Sequence, residues 1–424
     1  MLKTDGAGAY SLLKEISFER LGGSEEERRA ADILTGRLLD LGLQPEQAEF
    51  DIWSYEPVEA GLEVLEPYRG QCEVEVYGLT GSTPPGGIEA EFLYAEEAEE
   101  VSLVEAEGKI ILVNGGCDLK RYRRMAEAGI AGFVAWGGQI YRREDIPRWA
   151  IRPEYFKHGK IPGVSTFADA AAQLVQKGAR RVRLTVLQDE SEVSSQNVIC
   201  EITGSENPDE VVVITAHYDS VPYSSGANDN GAGSVIIMEL ARHFALNPPG
   251  RTLRFIWCGS EELGLRGSFA HVRESEDALD DVKMVLNVDV AGGILGRNRA
   301  IVTGPDALKN YVEVMSRRQG VAMKIKQDVY SSDSIPFAEK GIPSLNLIRS
   351  GAPIHNRHDK IEYLSAERLE EMGDFALRFL DEVDRARVFP FDRQIPDGVQ
   401  EKLDKYLKRR RGDDDDDEAG EDEE

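Results

Sequence analysis

The chain has 424 residues, 41% of them hydrophobic, with 41 glycines and 18 prolines. That length exceeds one ordinary core and calls for two domains. A formal net charge of -27 excludes nucleic acid and anionic membrane surfaces as natural partners, and no run approaches the roughly twenty apolar residues of a membrane span.

The first ten residues, MLKTDGAGAY, show no basic stretch leading into an apolar one, so no secretory leader is expected. Ser24 and Glu27 fit a capping box that opens a helix running to about Leu41, where Gly42 stops it. From about Pro57 to Leu187 the texture changes to short β-rich runs broken by Gly and Pro: Glu73–Tyr77, Lys109–Val113, Gly132–Trp136 and Arg181–Leu187. Two helical patterns interrupt them, near Leu119–Ala128 and Ala168–Lys177. From about Gln196 the rhythm becomes strand, loop, helix. Glu210–Thr215 (EVVVIT) is an apolar β-branched run of the kind buried on both faces of a sheet. Ser234–Ala245 reads as an amphipathic helix, Leu253–Cys258, Met284–Val288 and Ser344–Ile348 as further buried strands, and Leu364–Val383 as a long closing helix.

This order predicts an α/β fold, a mostly parallel twisted sheet flanked by helices, with a β-rich domain inserted. The expected division is a main domain over 1–56 and 188–390, an insertion over 57–187, and a C-terminal extension over 391–424. The extension ends in DDDDDEAGEDEE, whose like charges predict disorder. Cys72, Cys117, Cys200 and Cys258 are scattered and form no CxxC pair. Free thiols in a reducing compartment, the cytoplasm, are therefore expected.

The chemistry concentrates just past the carboxyl ends of the expected strands, where open α/β sheets place their sites. His217 and Asp219 follow the first strand, Glu261 and Glu262 the second, Asp289 the third, and the segment 354–359 with His355 and His358 the last. Gly226–Gly233 (GANDNGAG) carries Asp229 to the start of a helix; no Gly-Lys-Ser/Thr follows, so it is not a phosphate loop. Any one of these histidines alone would be an ordinary hydrogen-bonded residue, as expected of His158, His243 and His271. Five carboxylate and imidazole groups converging on one crevice require cations. Two His and three carboxylates without thiolate suit Zn2+ and tolerate Co2+ or Mn2+. Two ions fit this number of ligands better than one: His217 and Asp289 on the first, Glu262 and His355 on the second, Asp229 between them. Glu261 is then free to act as general base on a metal-bridging water, and Asp219 to accept the other imidazole N–H of His217. Tyr330 and Ser334 are candidates for contacting the substrate carbonyl, and Asp333 is expected to support the ligands from behind or cap its loop rather than ligate.

The segments TAHYDS, GANDNGAG, SEELGLRGS, NVDVAGG, SDSIPFAEKGIPSL and IHNRHDK occur in order over most of residues 196–384. Together they resemble the co-catalytic zinc aminopeptidase family that includes aminopeptidase Y, glutamate carboxypeptidase and the transferrin receptor. The resemblance implies the zinc exopeptidase fold, two Zn2+ ions, His217, Asp229, Glu262, Asp289 and His355 as ligands, and Glu261 as base. The family's last motif usually reads H-T-x-x-D-T. Here Asn356 and Lys360 replace the threonines, and His358 stands as a second imidazole, with His355 at the ligand position. GKIILVNGG, AGIAGFVAWGG and KIPGVSTFADAAAQLVQKGARRVRLTV resemble a protease-associated domain.

The expected activity is a metallo-exopeptidase acting on peptides, an aminopeptidase by first preference. A carboxypeptidase would need cations for the substrate's terminal carboxylate, and Arg266, Arg297, Arg349 and Arg357 lie near the motifs. A non-catalytic binding protein on the same fold would have lost ligands, and none is lost. A glutaminyl-cyclase-like acyltransferase is disfavoured by the insertion and the complete ligand set. A homo-oligomer is compatible with the sequence.

Overall fold

The computed structural model describes residues 2–141 and 145–412. The acidic run 413–424 lies outside the described residues. The chain forms two compact units, one of Met1–Ile52 with Val193–Leu403, the other of Trp53–Glu192 with Asp404–Glu424.

In the first unit the strands lie in the order Met323–Gln327, Arg297–Thr303, Ser344–Ser350, Val282–Val288, Asn207–His217, Arg251–Cys258, and then the end of Arg181–Ile202. The four central strands, Ser344–Ser350 to Arg251–Cys258, are parallel. Arg297–Thr303 and the segment Val198–Ile202 join them antiparallel on either side. Cys258 pairs with His217 and Val288 with Leu347, which brings the carboxyl ends of these strands to one rim.

The β-branched run explains the layering. Val212 and Ile214 point into a core with Leu13, Ile237, Leu286 and Phe375. Val211 and Val213 point the other way, against Ile256, Val285 and Phe337. Helices Gly6–Ile16, Ala232–Leu246 and Ala366–Asp384 supply much of the first layer, and Arg266–Glu274 with Ile335–Glu339 part of the second. Ala232–Leu246, expected to be amphipathic, is instead buried at every position from Ala232 to Ala241. Gly6–Ile16 and Ala366–Asp384 pack on its outer side, so its polar Ser234 lies inside the protein. Ser365 caps the closing helix, its Oγ accepting from Arg368 N. A further helix that the sequence pattern did not reveal, Asp397–Arg411, follows in chain order.

In the second unit Gly163–Phe167, Gly132–Gly137, Ile110–Asn114 and Ile88–Tyr94 are parallel neighbours. Val74–Val76 closes one edge antiparallel, and Arg181–Leu184 the other. Helices Leu119–Glu127 and Ala168–Gln176 pack on this sheet. Among the described residues no helix is long and apolar enough to cross a membrane.

Candidate metal centre

The rim formed by the parallel strands collects the acidic and imidazole groups. His217 ends its strand with 1% exposure. Its Nε2 lies 3.1 Å from Asp229 Oδ1 and 3.5 Å from Asp289 Oδ1. His355 Nε2 lies 3.0 Å from the other oxygen of Asp229 and 3.4 Å from Glu262 Oε2. Two three-residue clusters result, His217–Asp229–Asp289 and Asp229–Glu262–His355, with Asp229 common to both. Glu261 forms a third with His217 and Glu262. Asp229 thus bridges, one oxygen toward each imidazole. Among the described residues His358 enters no such cluster; its backbone N–H donates to Asn356 Oδ1.

Backbone geometry at the strand ends aims these groups. Ser260, Val290 and His355 adopt φ of 52, 54 and 56°, the left-handed region that costs non-glycine residues roughly 1–3 kcal/mol. Asp219 then holds the Glu261–Glu262 turn, Oδ1 accepting from Glu261 N at 3.0 Å and Oδ2 from Glu262 N at 3.1 Å. Asp219 Oδ1 also lies 3.3 Å from His217 Nδ1, but outside hydrogen-bond geometry. The expected imidazole bond is therefore a close approach, while the turn amides take the carboxylate. Asp359 holds the opposite loop, accepting from Asn228 N at 2.7 Å and Asp229 N at 3.0 Å. The Asp229–Asn230 peptide is cis, and Asn230 ties it to the Asp289 strand through Val288 O and Val290 N. Gly233 must lack a side chain, because a Cβ there would sit 2.3 Å from Val288 O.

The electrostatics describe a cluster short of positive charge. Burial raises the Glu261 pKa well above the carboxylate range, with Glu262, Asp333 and Asp289 adding to it against His217. Burial and then Asp229 push Glu262 up to about 8. The Glu262 charge, with Asp229 behind it, lifts His355 to about 10 against burial. Burial opposes a charge on His217, yet Glu261, Asp219, Asp229 and Asp289 hold its pKa well above the imidazole range. Asp229 is buried as well, but the two imidazoles keep it below the usual carboxylate range. Glu262 Oε1 and Asp289 Oδ1 are buried without a hydrogen-bond partner among the described residues. Orphaned carboxylate oxygens cost free energy unless something cationic meets them, so the donor set fits a pair of divalent ions.

The family profile for peptidase family M28 matches residues 197–380, the span that supplies every one of these groups. The chain is 32% identical over 392 residues to aminopeptidase YwaD of Bacillus subtilis, covering 86% of this chain and 82% of that one. The chain belongs to peptidase family M28. It is accordingly a metallopeptidase, a hydrolase. It is also 28% identical over 358 residues to mouse carboxypeptidase Q, covering 79% of this chain and 75% of the relative. Among solved structures it superposes with a TM-score of 0.76 on BSAP, a zinc aminopeptidase from Bacillus subtilis, at 26% identity over 93% of this chain and all of that one.

In this M28 chain several supporting residues escaped the sequence reading. Arg20, fully buried, donates to the carbonyls of Ile16, Phe18, Tyr218, Ser225 and Gly226, and so clamps the loop between His217 and Asp229. Glu27 does only half of its expected capping. Its N–H is received by Ser24 Oγ, but its carboxylate goes to Gly23 N, Ser195 Oγ and both the N–H and Oγ of Ser260, beneath Glu261. An Arg or Glu in a polar-looking N-terminal segment carries no local mark of such distant partners. Asp333 does not cap its loop. It is wholly buried, neither oxygen has a hydrogen-bond partner among the described residues, and burial raises its pKa to about 7. Ser334 Oγ is consumed by Asn346 Oδ1 at 2.8 Å. Tyr330 packs on Val290, Ile301 and Ile348, and its hydroxyl pKa is raised by burial and by Asp289, Asp229 and Glu261.

Proposed function

We propose that the chain is a two-zinc aminopeptidase in which His217 and Asp289 hold one ion, Glu262 and His355 the other, and Asp229 both. The observation that carries this reading is the division of the Asp229 oxygens between His217 and His355, 3.1 and 3.0 Å away. Zinc bound there would supply Lewis-acid stabilisation of the charge developing on the scissile carbonyl. Glu261 has no place in either Asp229 cluster, yet it adjoins His217 and Glu262. With a pKa raised by burial, it is suited to take a proton from the attacking water and deliver it to the leaving amine. Asp219 fixes the direction of both glutamates through their amides. The likeness to aminopeptidase YwaD and to BSAP, a zinc aminopeptidase, supports the metal and the first preference for amino-terminal cleavage.

The test is Glu261→Gln. The variant should retain both zinc ions by elemental analysis and lose roughly two or more orders of magnitude in kcat on an aminoacyl anilide. A fully active variant would sink the assignment.

Carboxypeptidase action is the second reading, favoured by the likeness to carboxypeptidase Q. A peptide with a blocked amino terminus separates the two, since only a carboxypeptidase would cut it. Residues 57–187 are read as a protease-associated domain on the motifs quoted above, and the four free cysteines support action in a reducing cytoplasm.

A further inference from the structure

A groove of about 550 Å3 opens in the first unit beside the edge strands, lined by Arg297, Asn298, Lys324, Arg349, Arg368 and Glu371 among others. Four cationic side chains face one carboxylate there, in a chain whose net charge is -27. That carboxylate is already engaged, since Glu371 accepts from Arg368 and, at 3.3 Å, from Asn298 Nδ2. Arg349 is 6% exposed and its guanidinium is fixed by Gly293 O, Ile294 O and Asn298 Oδ1. Burial and then the charge of Arg368 lower the Arg349 pKa, against Glu371. The Arg297 and Lys324 side chains are exposed, and among the described residues neither makes a hydrogen bond or ion pair. Two exposed cations, Arg297 and Lys324, free to close over a guest beside the buried positive charge of Arg349, are the arrangement that receives a multivalent oxyanion.

We propose that this groove binds a phosphate-class anion, either free polyphosphate or the phosphate group of a nucleotide. The site is distinct from the metal cluster, but it is tied to it through backbone. Arg349 N donates to Val290 O at 2.6 Å, next to Asp289, and the Arg349 side chain holds the carbonyls of Gly293 and Ile294 in the same segment.

The experiment is calorimetric titration of the zinc-loaded full chain with pyrophosphate and, separately, with ATP. The comparison protein is the double variant Arg297→Glu, Lys324→Glu. These side chains are exposed, and unchanged zinc content and circular dichroism will show that the variant is folded. The wild type should bind pyrophosphate saturably, more weakly as salt is raised, and the double variant at least tenfold more weakly at fixed salt. ATP binding tighter than pyrophosphate assigns the guest as a nucleotide, and equal or weaker binding as free polyphosphate. Absence of saturable binding overturns the proposal. So does equal binding by both proteins, because the anion would then sit on the metals.

Discussion

The Nε2 of His355 stands 3.0 Å from Oδ2 of Asp229, although the two residues come from loops far apart in the chain. The other Asp229 oxygen is committed to His217 at 3.1 Å. An asparagine at this position would turn an NH2 toward one of the two sites, and an NH2 cannot ligate a cation. Asp229→Asn should therefore hold fewer than two zinc ions per chain by elemental analysis; retention of two would show that it does not bridge.

The histidine pair in the last motif gives a separate test. His355→Ala should lose one zinc ion and most of the activity, whereas His358→Ala should keep both ions, since only His355 stands beside Asp229 and Glu262. The reverse pattern would exchange the assignments.

Asp219 acts through other residues. It receives the amides of Glu261 and Glu262 on separate oxygens, and an asparagine can accept only one of them. Loss of such a supporting carboxylate costs roughly 10–100-fold in metal affinity. Zinc competition with a chelator should show that loss in Asp219→Asn, with Asp219→Glu recovering part of it. Unchanged affinity would make Asp219 a packing residue only.

Zinc loading should release protons. The Glu262 charge lifts His355 to about 10 and Glu262 itself is raised to about 8, so at pH 7 this coupled pair is still protonated in the metal-free chain. A cation must displace those protons to reach the donor atoms. Affinity should then rise as pH climbs from 7 through 8 toward 10, and fall below pH 7. Calorimetry at pH 7 in buffers of different ionisation enthalpy measures the proton count directly, and a count of zero would contradict the cluster's electrostatics.

Glu27 offers a stability test away from the metals. Each of its oxygens accepts a backbone N–H, Gly23 N on one and Ser260 N on the other. A glutamine must set its NH2 against one of them, and leaving a buried donor unpaired costs about 1–3 kcal/mol. Thermal unfolding of Glu27→Gln should shift down by several degrees, and an unchanged midpoint would mean that the turn beneath Glu261 relaxes freely.

The sequence by itself determined the layered α/β unit and the rim on which its chemistry sits. Runs such as EVVVIT, alternating with helical segments, fit strands buried on both faces of a mostly parallel sheet, and the strand ends then mark the site. In the second unit, short β-branched runs separated by glycines were enough to place the strands at Ile110–Asn114 and Gly132–Gly137. These are local signals, carried by the period and the type of neighbouring residues. What only the tertiary structure decided depends on contacts between distant segments. The aiming of Asp219 at two amides and the recruitment of Arg20 and Glu27 beneath the loops are of this kind. So is the burial of Ala232–Leu246 on both sides, since no helix records in its own sequence which other helices will cover it. The left-handed backbone at Val290 is also of tertiary origin. A β-branched residue would not choose that conformation alone, and the surrounding sheet and loops hold it there.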